Sequence, residues 1–201
     1  FYLSASSMRT FSQHMHPLMS DIDLFQVFTL SEEFKSVAVR PEEKVELERL
    51  INTVPIPVKE SVGDSAAKVN VLLQSYISRL RLDGFALLSD VVYVKQSGAR
   101  IMRALLEIAL ENSWASLSRS LLQMCIMVER RIWRSHTPLR QFERLDDEDD
   151  DHGSLAASNL GSDMIHRVER KSVGWDRLVE LKPYDLGELV RDASYGKKIY
   201  R

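Results

Sequence analysis

Apolar residues recur at three- and four-residue spacing through most of this 201-residue chain, the rhythm of helices that bury one face. Ser6 or Ser7 is placed to cap a short helix running to about Met15, and Pro17 then breaks it. Asp21 to Phe28 and Leu30 to Phe34 keep the same spacing, with Ser31-Glu32-Glu33 placed to restart a turn. In "RPEEKVELERLINTV" Pro41 suits the first helical position and acids crowd the first turn, while Val45, Leu47, Leu50, Ile51 and Val54 mark an apolar face. "PIPVKESVGDS" cannot continue that helix and reads as a linker. Long helices are predicted over 65–82, 87–111 and 113–133. The stretch "LLSDVVYVK" has the β-branched content of a strand, but its place in a long periodic segment favours helix. No alternating sheet pattern, βαβ unit or internal repeat is evident, so the fold class is all-α: a helical bundle around a long central helix.

That central helix poses a question. In "QSGARIMRALLEIALEN", at about 100° per residue, Gln96, Arg100, Arg103, Glu107 and Glu111 fall in one narrow sector, and apolar residues fill the rest. A helix apolar over most of its circumference is an interior one, and unpaired buried charge is costly. The stripe therefore opens onto water, onto partner carboxylates, or onto a ligand. Arg103 and Glu107 stand four residues apart, so a stripe that satisfies its own charges is a full rival to a ligand-facing one.

Beyond residue 143 the chemistry changes. "RLDDEDDDHGSLAASNLGS" is acidic, small and aperiodic, and 143–161 is expected to be a disordered insert. Residues 162–201 offer short helices with Trp175, Leu178, Leu181, Leu186 and Leu189 as a small core, in a helix-loop-helix arrangement. There Tyr195-Gly196-Lys197-Lys198 is placed to start a helix whose free N–H groups and lysines face a phosphate, with a solvated terminal turn as the alternative.

Charge and motifs narrow the chemistry. Lys+Arg 27 against Asp+Glu 29 leaves a net charge of -2, so nucleic-acid contact must come from a local patch. A second patch is "VERRIWRSHTPLRQFER", where Arg130, Arg131, Arg134 and Arg140 surround Trp133 and Phe142. Cations interleaved with aromatics suit a nucleic-acid strand; they suit better a helix C-terminus, whose dipole they complement. The single cysteine, Cys125, excludes a disulfide framework and a multi-cysteine zinc site and reads as core packing. His14 and His16 point to different helix faces, and no metal site is expected. Neither a GxxxxGK[ST] loop, an HExxH helix nor a GxSxG elbow is present, and nothing strand-like precedes the acidic run to make it a magnesium-binding box. No stretch approaches the roughly 18 apolar residues of a membrane span, and no membrane partner is expected.

Several blocks in order carry a resemblance. "SAAKVNVLLQSYISRL", "SDVVYVKQSGARIMRALLEIAL" and "TPLRQF" resemble the Sec-sixty-three-type homology unit that follows the winged helix in Ski-two-like superfamily-two helicases. "VRPEEKVELERLINTVPIPVKE" is most similar to the active cassette of the spliceosomal branch of that family, which unwinds paired small nuclear RNAs. The resemblance implies a bundle over 1–142, with 1–3 as the remnant of a winged-helix strand, and then the helix-loop-helix unit. It implies that the helix bearing Gln96, Arg100 and Arg103 is the family's ratchet helix, lying under single-stranded RNA, and that Lys197 and Lys198 lie near the exiting strand. Some relatives stack a base on an aromatic two turns past the ratchet arginine; here the corresponding positions are Glu107 and Leu110, so phosphate or sugar contact is expected instead. The implied partners are single-stranded RNA, the RecA-like and winged-helix domains of the same helicase, and spliceosomal proteins in the nucleus. ATP and Mg would belong to the motor domains, with no cofactor in this segment and no ATPase activity of its own. The alternative is a helical protein-interaction module, either the regulatory second cassette of such a helicase or an unrelated adaptor.

Overall fold

The computed structural model describes residues 2–142, 160–171, 173 and 175–200, and among them no β-strand occurs. The chain divides into two compact units, Phe1–Trp133 and Arg134–Arg201. Most of the expected acidic insert, 143–159, lies outside the described residues.

The first unit contains α1 (Ala5–His14), α2 (Asp21–Thr29), α3 (Lys44–Ile51), α4 (Ser65–Ile77), α5 (Phe85–Glu111) and α6 (Ala115–Arg130). Its core joins Phe11 of α1, Leu24, Phe25 and Phe28 of α2, Leu72 and Leu73 of α4, Ile101, Met102 and Leu105 of α5, and Leu121 and Met124 of α6. The expected long helices all form, "LLSDVVYVK" included. Val45 departs from its expected role: at 80 % exposure it faces solvent, and the buried face of α3 is carried by Leu47 and Leu50.

Helix starts differ from expectation at α1, and at α5 a distant group supplies the cap. Ser4, not Ser6 or Ser7, caps α1 by accepting the Ser7 N–H at 3.0 Å. Ser7 is instead fully buried, where its hydroxyl donates to Glu33 Oε2 at 2.5 Å and accepts the Glu32 N–H at 3.0 Å. The start of α5 is capped from another helix, since the Glu46 carboxylate accepts the N–H groups of Asp83 and Gly84 at 2.8 and 3.1 Å.

α4 is buried almost all round, polar residues included. Gln74 has no exposed surface. Its amide accepts the Ile56 N–H and donates to the Ile56 carbonyl, both at 2.9 Å, so one side chain pairs a linker residue as a β-partner would. That pairing fixes the segment between Pro55 and Pro57, whose backbone has no helix to satisfy it. Lys68, also without exposed surface, donates to the Ala38 carbonyl at 2.8 Å and is ion-paired to Glu43 at 2.5 Å and Asp90 at 2.6 Å. Arg40 bonds the same carboxylates at 2.5 and 3.3 Å. Burial pushes the Glu43 carboxyl up, but hydrogen bonds from Lys68 and Arg40 outweigh it and hold it below the ordinary carboxylate value.

The second unit contains a 3-10 turn (Pro138–Phe142), α7 (Ser162–Arg170), α8 (Trp175–Glu180), α9 (Pro183–Val190) and α10 (Ala193–Tyr200). Leu139, Leu160, Ile165, Val168, Leu178, Leu186 and Val190 form its core, with Leu181 and Leu189 packed at its margin. The side chain of Trp175, expected in this core, lies outside the described residues. α9 and α10 approach through two glycines: a Cβ on Gly196 would stand 2.3 Å from the Gly187 nitrogen and 2.4 Å from the Pro183 carbonyl.

Candidate nucleic-acid interface

α5 buries Val94, Ser97, Gly98, Ile101, Met102, Ala104, Leu105, Ile108 and Ala109. What remains for solvent is a single stripe along the helix, because residues on one face of a helix return every three to four positions. From its N-terminal end the stripe reads Phe85, Leu88 and Val92, then Gln96, Arg100 and Arg103, then Glu107, Leu110 and Glu111, with Ser89, Tyr93 and Lys95 also exposed beside its first half. Its two arginines, Arg100 and Arg103, are separated by about 4.5 Å of rise at about 1.5 Å per residue.

Within that part the members differ. Gln96 is exposed. Arg100 is half-buried; its guanidinium reaches only Ser97 Oγ, at 3.4 Å, and its Nε is buried without a hydrogen-bond partner. No carboxylate among the described residues pairs with it. Arg103 is half exposed and pairs with Glu129 on α6, not with Glu107, so the self-contained pairing within α5 that the spacing allowed does not form. The reason is geometric: α6 folds back along α5 and brings a carboxylate to Arg103 from across the groove. Glu107 and Glu111 are exposed and outside any ion pair among the described residues.

The residues of the second basic patch fall in both units. Arg130 and Arg131 belong to the first unit, Arg134 and Arg140 to the second. Arg130 is exposed at the C-terminus of α6. Arg131 takes the left-handed conformation that ends the helix, with φ 53°, donates from Nε to the Tyr76 carbonyl at 3.1 Å and covers the Tyr76 ring at 4.8 Å. Arg134 is exposed. Arg140 is clamped by Glu169, with Nε and Nη2 at 2.7 and 2.8 Å from its two oxygens. Those bonds, outweighing burial, lower the Glu169 carboxyl. The interleaved Trp133 is buried, and its indole N–H donates to Ser78 Oγ at 2.8 Å.

Lys197 and Lys198 are exposed, but on the last turn of α10 and not at its start. The helix begins at Ala193, and the Asp192 carboxylate accepts the N–H groups of Ser194 and Tyr195 at 2.9 and 3.3 Å. The free N–H groups expected beside these lysines are therefore absent, and what they offer a phosphate is their ammonium charge alone. Lys198 lies over the Tyr195 ring at 4.9 Å. Cys125 is buried, and burial pushes its thiol up to about 11 despite the charge of Arg103. Among the described residues, no group of three His, Cys, Asp or Glu is placed to hold a metal, and no helix is long and apolar enough to cross a membrane.

Two residues that shape the stripe carry no signal in the sequence. Ser97 is an ordinary small residue in its context. Glu129 is hidden because its partner lies 26 positions away.

Comparison with known proteins places the chain. It is 46 % identical over 201 residues to the "U5 small nuclear ribonucleoprotein 200 kDa helicase" of Drosophila melanogaster. It is also 46 % identical over 200 residues to the "Pre-mRNA-splicing factor brr2" of Schizosaccharomyces pombe. Against the "Activating signal cointegrator 1 complex subunit 3-like" protein of Dictyostelium discoideum the identity is 41 % over 200 residues. Each alignment covers 100 % of this chain and only 8 or 9 % of the relative. The Sec63 Brl domain family matches residues 1–186, and the chain belongs to that family.

Proposed function

We propose that this chain is the RNA-guiding accessory segment of an ATP-dependent RNA helicase of the spliceosome, acting in the nucleus on small nuclear RNA. In this reading α5 is the ratchet helix, and single-stranded RNA crosses it at Gln96, Arg100 and Arg103. The chemistry at the stripe is backbone recognition: a guanidinium binds phosphate oxygens without reading bases, so the strand can move while the cation stays engaged. ATP and Mg belong to motor domains outside this chain, and winged-helix and RecA-like domains of the same helicase and spliceosomal proteins are its partners. Lys197 and Lys198 would add charge near the departing strand. Arg130 and Arg134 are exposed and would add weaker contacts, whereas Arg131 and Arg140 are held against Tyr76 and Glu169. The names of the relatives support the helicase and splicing assignments.

The observation that carries the RNA reading is Arg100, a half-buried guanidinium that pairs with no carboxylate among the described residues. The outer N–H groups of such a guanidinium are available to an anion arriving from outside. A protein-interaction role draws support from a different observation. Phe85, Leu88 and Val92 continue the stripe and are 87, 45 and 48 % exposed, an apolar row of the kind partners cover.

Photo-cross-linking separates the two. Full-length helicase bound to single-stranded RNA carrying 4-thiouridine is expected to be labelled in the peptide containing residues 96–103, with weaker labelling in 193–200. Binding with labels confined to other parts of the protein would overturn the assignment of α5.

A further inference from the structure

Arg100 and Arg103 share one stripe three residues apart, yet among the described residues only Arg103 has a carboxylate on it. That carboxylate, Glu129, comes from α6, and the two side chains are 55 and 39 % exposed. An ion pair this open adds little to stability. Nor does Glu129 serve its own helix. α6 ends at Arg130, and a negative charge in the last turn opposes the helix dipole. Stability of the fold therefore gives no account of a carboxylate at this point. A carboxylate and a phosphodiester present the same pair of acceptor oxygens to a guanidinium, so Glu129 occupies on Arg103 the place a strand phosphate would take.

We infer that Glu129 competes with the RNA phosphate for Arg103 and so sets how tightly the strand is held. The inference rests on the RNA reading of α5. Arg100 is then the standing contact, open to phosphate at all times. Arg103 is an exchangeable one, handed between Glu129 and the strand as a phosphate arrives and leaves. A moving strand gains from this arrangement, because the departure of each phosphate from Arg103 is met by return of the carboxylate and not by a bare cation. Unbinding is thereby eased.

The test is a titration of full-length protein with single-stranded oligouridylate at several salt concentrations, for Glu129→Gln, Arg103→Gln, the double variant and Arg100→Gln. Glu129→Gln is expected to tighten binding about threefold or more at low salt and to steepen the log–log salt slope by up to about 0.7. In the Arg103→Gln background the same change is expected to do nothing. Two results overturn the inference and leave the RNA reading standing, provided Arg100→Gln still weakens binding. One is that Glu129→Gln leaves affinity unchanged or lowered; the other is that it tightens binding equally without Arg103, which makes it a general charge effect. If Arg100→Gln also changes nothing, the RNA reading fails and the inference with it. The thermal midpoint of Glu129→Gln, expected to match that of the parent, excludes a folding defect.

Discussion

Replacing Lys68 by Met is expected to destabilise the first unit by about 3–5 kcal/mol, the cost of breaking a buried ion pair from one side. Lys68 has no exposed side-chain surface, Glu43 has 3 % and Asp90 has 17 %. Met matches the stem of Lys in length and fills the same volume, so packing is preserved and the effect is electrostatic. Arg40 stays on both carboxylates, which places the loss toward the lower end of that range. It cannot replace the ammonium, however, because Lys68 also satisfies the Ala38 carbonyl from inside the bundle. A companion variant separates charge from shape. Adding Glu43→Gln to Lys68→Met removes the stranded charge while keeping an oxygen for the Arg40 N–H, which Glu43 Oε2 accepts at 3.1 Å, and is expected to recover more than half of the loss. Denaturant midpoints of the parent, the single and the double variant check this. A Lys68→Met midpoint equal to that of the parent would mean that the carboxylates are solvated and the network is not a buried one.

Gly196→Ala is expected to cost the second unit about 3 kcal/mol, at the upper end of what overpacking does. The sign is informative, because Ala in a helix is normally better than Gly by about 1 kcal/mol. Here the new methyl would meet backbone: the Gly187 nitrogen at 2.3 Å, the Pro183 carbonyl at 2.4 Å and the Gly187 Cα at 2.6 Å. No side chain can move aside, so α9 and α10 must separate. Gly187→Ala is the control. Its methyl would stand 3.0 Å from the Ala193 Cα, tighter than usual but relieved by a small shift. Hydrogen exchange resolves the outcome by region. Amides over 183–200 should lose protection in Gly196→Ala and largely keep it in Gly187→Ala, while α4, α5 and α6 are unchanged in both. Full protection in Gly196→Ala would show that the two helices are not packed backbone to backbone.

The helices themselves are legible in the sequence because each buries one face and repeats it. Their ends are less so, for a stereochemical reason. The usual sign of a helix stop is a following glycine, the residue that most easily takes the left-handed conformation. This chain uses Arg79, Ser113 and Arg131 there, with φ of 56, 58 and 53°. The backbone bonds are nonetheless those of a regular helix stop: Leu80 N–H reaches the Ser75 carbonyl at 3.0 Å and Trp114 N–H reaches the Ala109 carbonyl at 2.9 Å. Helices expected to run to Leu82 and Trp133 therefore end at Ile77 and Arg130.

Buried polar groups are hidden for another reason. Lys68 and Gln74 are polar residues of a helical segment, and nothing local shows that Glu43, Asp90 and the Ile56 backbone converge on them. One clue is present in the sequence. α4 interleaves Lys68, Asn70, Gln74 and Ser75 with Val69, Val71, Leu72 and Leu73, and a lysine with apolar residues on either side raises the same question as the arginines of α5. For the candidate site, periodicity places Gln96, Arg100 and Arg103 on one face. It cannot tell which guanidinium pairs with a carboxylate, since that depends on Glu129 of a different helix.

The central claim is that Arg100 and Arg103 meet RNA phosphates, and the salt dependence of single-strand binding tests it most directly. In full-length helicase, Arg100→Gln with Arg103→Gln is expected to leave the fold intact, because Gln is a good helix former and both sites edge a polar stripe. The slope of log affinity against log salt is expected to shrink by roughly 0.7 for each phosphate that no longer meets a cation, with unwinding reduced. An unchanged slope together with normal unwinding would contradict the account.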